Sequence, residues 1–194
     1  MRLKLLGAAV VAVLAAATLS ACQTNVGEAA VIDGHRVSES DVSSYLTSSA
    51  QPVALSQTTT TPARVFVLDV LILRPYLKKL ISASPIGNVS ERKLAAAHQE
   101  QLNGKSDKSV AAQIGVHGYS TAFDKLVVDL SILLEVRSRL SSAQLAAADK
   151  KVSFGVSLNP RYGSWTRKGL FIDSDASAGT PGFLKLQPTA VAGS

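Results

Sequence analysis

The residues of this chain that are able to take part in chemistry are few and scattered. There is one cysteine, Cys22, and the three histidines, His35, His98 and His117, lie far apart in the sequence. No serine, histidine and aspartate stand in a context that marks a nucleophile with its base. The sequence also lacks a glycine-rich phosphate loop, a zinc-ligand spacing and a Gly-x-Ser-x-Gly turn. We therefore predict no catalytic residues, no metal and no cofactor.

Cys22 is the one residue whose surroundings specify a reaction. Met1 to Lys4 is positively charged, Leu5 to Leu19 is apolar, and Leu19-Ser20-Ala21-Cys22 ends the apolar run. A charged start, a short apolar core and small residues at its end are typical of a secretory signal peptide, and the run is too short to span a membrane comfortably. The closing tetrapeptide resembles the bacterial lipobox, so we predict a lipoprotein signal peptide over residues 1–21.

The lipobox resemblance implies that the Cys22 thiol receives a diacylglyceryl group and becomes the mature N-terminus, with residues 22–29 as a tether. A single cysteine in an exported protein cannot form an internal disulfide, which fits a lipid-carrying role. Acyl chains such as palmitate contribute about 0.8 kcal/mol per buried methylene, so two or three would hold the protein on the extracytoplasmic face of the cell membrane. The alternative is an ordinary cleaved signal with a spare thiol.

The charge pattern argues against nucleic acid as a partner. The formal net charge is +6, and loss of Arg2 and Lys4 with the signal peptide lowers it by two. The basic residues are dispersed, and no arginine-rich stripe interleaves with aromatic residues. The remaining charge is consistent with weak attraction to anionic headgroups or cell-wall polymers. A solvated surface is the more common reason for such a charge.

A predicted hairpin begins the exported part of the chain. The strands Ala30 to Ile32 and His35 to Val37 flank Asp33-Gly34, a pair favoured in type I′ turns because both central residues need positive φ. Ser38, with Asp41 three residues later, forms a capping-box pattern that predicts a helix start. Because a two-stranded hairpin alone is marginally stable, it needs a further strand.

That further strand is predicted near the other end of the chain, and helices lie between. Val152 to Leu158 alternates with period two, so we expect it to pair with the hairpin. Val65 to Ile81 is apolar nearly all round, which is typical of a core helix, and Phe123 to Leu140 presents a broad apolar face to it. These elements predict a mainly α fold with a small antiparallel β-sheet, an α+β domain over residues 30–165. Residues 166–194 are rich in Gly, Ala, Ser and Pro and are predicted to be a flexible C-terminal tail, in which only Leu170 to Ile172 and Phe183 to Leu186 could become ordered by docking on the domain.

Three segments together resemble a known family. The Ala-Val-Ile-Asp-Gly hairpin, the Ser-Glu-Ser-Asp helix start and the run Val-Ser-Phe-Gly-Val-Ser-Leu-Asn-Pro-Arg-Tyr-Gly-Ser-Trp resemble the SurA N-terminal-domain family, in particular its short actinobacterial lipoproteins. The resemblance covers Ala29 to Trp165. It implies a helical core closed by the hairpin and the final strand, and a role as an extracytoplasmic chaperone with an apolar cradle, as in SurA and PrsA.

The sequence departs from many members of that family at one place. The last predicted helix ends near Asp149 and the closing strand starts at Val152, which leaves no room for the parvulin prolyl-isomerase domain that many members carry there. The three histidines match no parvulin site. We therefore predict that the protein is not an enzyme, and the resemblance implies that it binds unfolded or partly folded exported proteins.

Three functional hypotheses follow. The first is a chaperone-like lipoprotein, the second is an envelope scaffold that binds one fixed partner, and the third is a carrier of a lipid or small molecule. For the first, we predict a peptide groove between the two long helices, with Tyr76 and Phe123 at its rim, because aromatic side chains give large contact area at low entropy cost. The alternative is that these two residues only close the core. Trp165, beside Tyr162, is either a ligand platform or, more commonly, a packing residue at a sheet edge.

Overall fold

The structure is a computed structural model that describes residues 27–54, 60–167 and 170–173. The predicted signal peptide, Cys22 and most of the tether lie outside the described residues, as does the tail from residue 174 onward. In chain order, the elements are β1 (Glu28–Ile32), β2 (His35–Ser38), α1 (Glu39–Ser44), β3 (Val53–Ala54), β4 (Thr60–Thr61), α2 (Ala63–Ser82), α3 (Glu91–Leu102), α4 (Asp107–Gln113), α5 (Thr121–Ser138), α6 (Ser142–Asp149), β5 (Val156–Leu158), a 3₁₀ turn (Pro160–Tyr162), β6 (Ser164–Trp165) and β7 (Ile172–Asp173).

The small sheet joins the two ends of the domain as predicted. Its strand order is β2-β1-β5 and both pairings are antiparallel, with Ile32 opposite His35 on one side and opposite Val156 on the other. Asp33 and Gly34 have φ values of 52° and 85°, the positive values that a type I′ turn requires. The Asp33 N–H also donates to the Gly155 carbonyl at 2.7 Å, so the turn itself is tied to the segment that precedes β5.

The predicted closing strand is longer than the observed one. Only Val156 to Leu158 pairs with β1, whereas Val152 and Phe154 lie before the strand and are buried in the hydrophobic core. The Phe154 carbonyl accepts a hydrogen bond from Arg167 Nη2 at 2.9 Å instead of joining a β-ladder. The alternating apolar residues therefore mark one buried side of this segment, but only two of the four, Val156 and Leu158, belong to a paired strand.

Two long helices form the centre of the molecule, and the fold is mainly helical with a small antiparallel sheet, as predicted. Helix α2 packs along α5, and α3 and α4 also pack against α5. Leu68, Leu73 and Leu77 on α2 and Leu133 on α5 are fully buried. Among the described residues, no helix combines the length and the apolar character that crossing a membrane needs.

Helix α1 begins at the predicted capping box. The Asp41 N–H donates to Ser38 Oγ at 3.1 Å, and the Ser38 N–H donates to Asp41 Oδ2 at 2.8 Å. Ser38 Oγ also donates to Asp41 Oδ2 at 2.7 Å, and this hydrogen bond, together with the one from the Ser38 N–H, lowers the pKa of the Asp41 carboxyl below its ordinary value because both favour the charged form. The box satisfies two backbone groups that the end of a helix would otherwise leave without partners.

The predicted domain boundary after residue 165 is wrong for the segment that follows. Strand β7 pairs with β6, and Leu170, Phe171 and Ile172 are buried. The Ile172 N–H donates to Asp69 Oδ1 at 2.7 Å, which fixes this segment to the middle of α2. The folded domain therefore extends at least to residue 173.

Candidate functional site

The two predicted groove residues lie in the closed core. Phe123 is 0% exposed and Tyr76 is 2% exposed. The prediction that they form the exposed rim of a groove between the two long helices is wrong, because both side chains are almost fully buried where α2 and α5 pack on each other. Tyr76 reaches only the wall of a small cleft beside α6. The alternative reading of these two residues, that they close the core, describes their positions.

Phe123 is the centre of an aromatic cluster at the N-terminal end of α5. Its ring stacks on Tyr119 with centroids 4.8 Å apart, and it meets Phe66 edge-on at 5.8 Å and Tyr45 at 5.6 Å. Edge-to-face and offset-stacked pairs of this kind are favourable beyond the area that they bury. The cluster joins α1, α2 and α5 and explains the position of Phe123 without a ligand.

Tyr76 belongs to a second aromatic cluster, beneath the end of the sheet. Its ring centroid lies 5.4 Å from that of Phe154 and 5.5 Å from that of Trp165. The Trp165 Nε1–H donates to the Leu170 carbonyl at 2.8 Å, so the indole holds the C-terminal segment in place. Trp165 is thus a packing residue, as the more common of the two predicted roles has it.

An apolar groove does exist, but it lies on the outer side of the helices. It runs between α3, α5, the start of α6 and the loop that joins α2 to α3, and its volume is about 470 Å³. Ile86, in that loop, is 44% exposed, and Val89, Ala97 and Val136 are partly buried beside it. We call this surface the Ile86 groove. Its base is formed by the buried apolar residues Leu94 on α3, Ile132 on α5 and Leu140 in the link between α5 and α6.

Two cationic side chains flank the Ile86 groove. Lys93 lies on α3 and Arg139 follows the end of α5. Arg139 Nη2 is 2.7 Å from Glu135 Oε1 in an exposed i, i+4 pair, whereas no ion pair is seen for Lys93 with any part of the chain that the structure describes. The groove therefore combines an apolar base with a rim of net positive charge.

A buried network of charged groups lies behind the groove and supports α3 and α5. Asp129 Oδ1 is 2.8 Å from His98 Nδ1, and Asp129 Oδ2 is 3.1 Å from Arg74 Nη2. The other ring nitrogen of His98 is 2.7 Å from Asp107 Oδ1. Because His98 is 2% exposed, it cannot touch a bound molecule in this conformation. The network links side chains of four helices, Arg74 on α2, His98 on α3, Asp107 on α4 and Asp129 on α5.

The other histidines do not converge on this network. His35 and His117 are exposed, at the hairpin and before α5 respectively. Within residues 27–54, 60–167 and 170–173, no group of three or more His, Cys, Asp or Glu side chains is placed to hold a metal ion. Cys22, the predicted lipidation site, lies outside the described residues.

Sequence reasoning missed the groove residues, although one signal was present. Ile86 stands in the turn cluster Ser84-Pro85-Ile86-Gly87-Asn88. A large apolar residue in a tight turn between two helices has few neighbours that are able to bury it. Its partial exposure was the available clue to an apolar surface at this place.

The comparisons with known proteins identify no family for this chain. No protein-family model, curated protein or solved structure matches it. The resemblance to the SurA N-terminal-domain family thus stays a prediction from the quoted segments.

Proposed function

We propose that this protein is a lipid-anchored, extracytoplasmic chaperone-like protein whose Ile86 groove binds apolar segments of non-native exported polypeptides. The observation that carries the proposal is the groove itself. Its volume of about 470 Å³ is in the range of roughly 300–1,000 Å³ that binding pockets occupy. Ile86 stays 44% exposed at its mouth, which is an unfavourable state that a bound apolar chain would relieve.

The rim of the groove favours a particular kind of segment. Lys93 and Arg139 lie beside the apolar base, so an apolar stretch that is flanked by acidic residues would match both features. Charged groups at a rim contribute mainly to the rate and orientation of association, whereas the buried apolar contacts contribute most of the affinity. The lipobox and the resemblance to SurA and PrsA support an occupant that is an exported polypeptide.

Two other functions share part of this support. An envelope scaffold would use the same groove for one fixed partner, and a carrier would hold a lipid or small molecule. The groove is open along the exposed loop at Ile86, which favours a chain that passes along it over a ligand that is enclosed. A chaperone binds many non-native clients weakly, a scaffold forms one stable complex, and a carrier yields a ligand on extraction.

Ile86→Asp is expected to reduce the suppression of client aggregation by at least half. An aspartate at the mouth of the groove places a charge where the apolar segment would be buried, and an unpaired charge in an apolar contact is costly. The measurement is light scattering of a refolding client protein in the presence of residues 22–194. The variant's melting temperature, followed by circular dichroism, shows that the fold is retained.

The chain offers a matched control for this variant. Ile114 is 52% exposed and lies at the end of α4, outside the groove. Ile114→Asp introduces the same change at the same level of exposure and should suppress aggregation as well as the unaltered chain. If the unaltered, folded protein suppresses no aggregation, the chaperone proposal fails. If Ile86→Asp and Ile114→Asp behave alike, the groove is not the binding surface.

Cys22→Ser is expected to move the protein from the membrane fraction to a soluble fraction. The serine hydroxyl cannot form the thioether that carries the diacylglyceryl group, so no acyl chain would anchor the protein. The measurement is fractionation of cells together with mass spectrometry of the N-terminal peptide. An unmodified Cys22 on a soluble exported form of the unaltered protein would reject the lipid anchor.

A further inference from the structure

A second, smaller cleft lies where α2, α5 and α6 meet the C-terminal segment. Its volume is about 220 Å³, and it shares no lining residue with the Ile86 groove. Leu80, Leu145 and Leu170 form apolar walls, and two arginines, a tyrosine and an aspartate bring polar groups to it. A cavity of about 150 Å³ holds benzene, so this cleft has room for a ring with one polar substituent.

Arg137 is the cation of this cleft that has no ion pair within residues 27–54, 60–167 and 170–173. Its guanidinium is half-buried on α5, and its Nε is inaccessible to solvent without a hydrogen-bond partner in the described part of the chain. Its electrostatic neighbour there is the hydroxyl of Tyr76. Burial lowers the pKa of Arg137 from its ordinary value, yet an arginine keeps its charge in proteins. A half-buried cation in this state would be stabilised by an anion from outside.

The aspartate in the cleft does not supply that anion, because it has partners of its own. Asp149 Oδ1 accepts a hydrogen bond from the Tyr76 hydroxyl at 2.9 Å and lies 3.5 Å from Arg167 Nη1. Arg167 and Asp149 therefore balance each other in charge. The cleft as a whole keeps one positive charge, and that charge belongs to Arg137.

We infer that this cleft binds a small apolar monocarboxylate, with its carboxylate on Arg137 and its apolar body against Leu80, Leu145 and Leu170. A guanidinium presents parallel N–H donors that match the two oxygens of a carboxylate, and such charge-assisted pairs are stronger than neutral hydrogen bonds. Because Arg137 is the single cation without an ion pair in the described part of the cleft, a ligand with one negative charge matches it. The volume of the cleft limits the apolar part of that ligand to about the size of a benzene ring. The inference does not rest on the proposed function, since it uses a different surface.

Benzoate is the probe that tests this site, with benzamide as its neutral analogue of equal shape. In residues 22–194, benzoate should cause saturable shifts of the Arg137 Nε–Hε signal and of the backbone amide signals of Ala146 and Leu170 in ¹H–¹⁵N NMR spectra, and benzamide should cause none. The two backbone signals report binding in variants that lack the arginine. Arg137→Gln should weaken benzoate binding by about tenfold or more, because the charge-assisted pair is lost. Arg137→Lys keeps the charge without the parallel donors and should bind with intermediate affinity.

The control is an exposed arginine that lines neither the cleft nor the Ile86 groove. Arg36, on β2, is exposed and lies 3.6 Å from Glu28 Oε2, so Arg36→Gln should leave benzoate binding unchanged. The melting temperature of each variant reports its folding, and Arg137→Lys serves if Arg137→Gln does not fold. The inference is overturned if benzoate gives no saturable shift at millimolar concentration, if benzamide binds equally, or if both Arg137 variants bind benzoate as the unaltered protein does.

Discussion

Asp129→Asn is expected to lower the free energy of unfolding by about 3–5 kcal/mol, which is the cost of removing one partner from a buried ion pair. Asp129 is 1% exposed, and its carboxylate lies between His98 on α3 and Arg74 on α2. Asparagine preserves the size of the side chain but removes the charge. Buried His98 would then lose one of its two carboxylates, and Arg74, whose side chain is 25% exposed, would keep only its 3.5 Å contact with Glu91 among the described carboxylates.

Urea denaturation at pH 7 measures this loss, and a neighbouring carboxylate supplies the control. Glu135, on the same helix, is 62% exposed in its side chain and pairs with the exposed Arg139. Exposed pairs of this kind contribute about 0–1 kcal/mol, so Glu135→Gln should change stability by less than about 1 kcal/mol. Equal, small effects of the two variants would show that the Asp129 network does not hold the four helices together.

The parts of the fold that the sequence predicts well are those that neighbouring residues determine. The Asp33-Gly34 turn follows from positive φ at two consecutive positions, and the capping box follows from Ser38 and Asp41 three residues apart. In both cases the atoms that interact are brought together by local backbone geometry alone. No knowledge of the rest of the fold is needed, and the structure confirms both.

The candidate site depends on which apolar surfaces meet, and that information is not local. The apolar face of α2 indicated surplus surface, but α5 and the aromatic cluster around Phe123 cover it. The surface that stays open is at Ile86, where a short loop cannot bury a large side chain. Periodicity in the sequence shows which face of a helix is apolar. Only the packing of the helices determines which of these apolar residues become buried.

The C-terminal segment is a second case in which burial depends on residues that are distant in the sequence. Its composition predicted a flexible tail from residue 166 in which Leu170 to Ile172 could dock, and these residues are buried. The group that holds it, Asp69, is 103 residues away in sequence from Ile172. An aspartate in an otherwise apolar helix is a signal of a buried polar contact, but the sequence does not reveal the identity of its partner.

Asp69 also gives the chain a dependence of stability on pH. As the pH rises from 4 to 7, the free energy of unfolding of the Asp69→Asn variant is expected to increase relative to that of the unaltered protein. Asp69 is 0% exposed, and burial raises its pKa well above the ordinary value of 3.8. At a pH between these two values, the folded state keeps a proton that the unfolded state has lost. The stability associated with Asp69 is therefore fully present below pH 3.8 and is lost as the pH rises towards the folded-state pKa, by up to about 1.4 kcal/mol per pH unit.

Asparagine keeps the oxygen that accepts the Ile172 N–H but does not titrate, so this loss is absent in the variant. The measurement is urea denaturation of both proteins at pH 4, 5, 6 and 7, and the difference between their free energies of unfolding should grow in favour of the variant.

Asp41→Asn is the control, and its expected pH dependence has the opposite sign. Because hydrogen bonds to Ser38 lower the pKa of Asp41, the unaltered protein should hold its advantage over that variant at neutral pH and lose it on acidification. If the free energies of unfolding of Asp69→Asn and the unaltered protein instead change with pH in parallel, the pKa of Asp69 is the same in the folded and unfolded chain. The burial of Asp69 would then not make stability depend on pH.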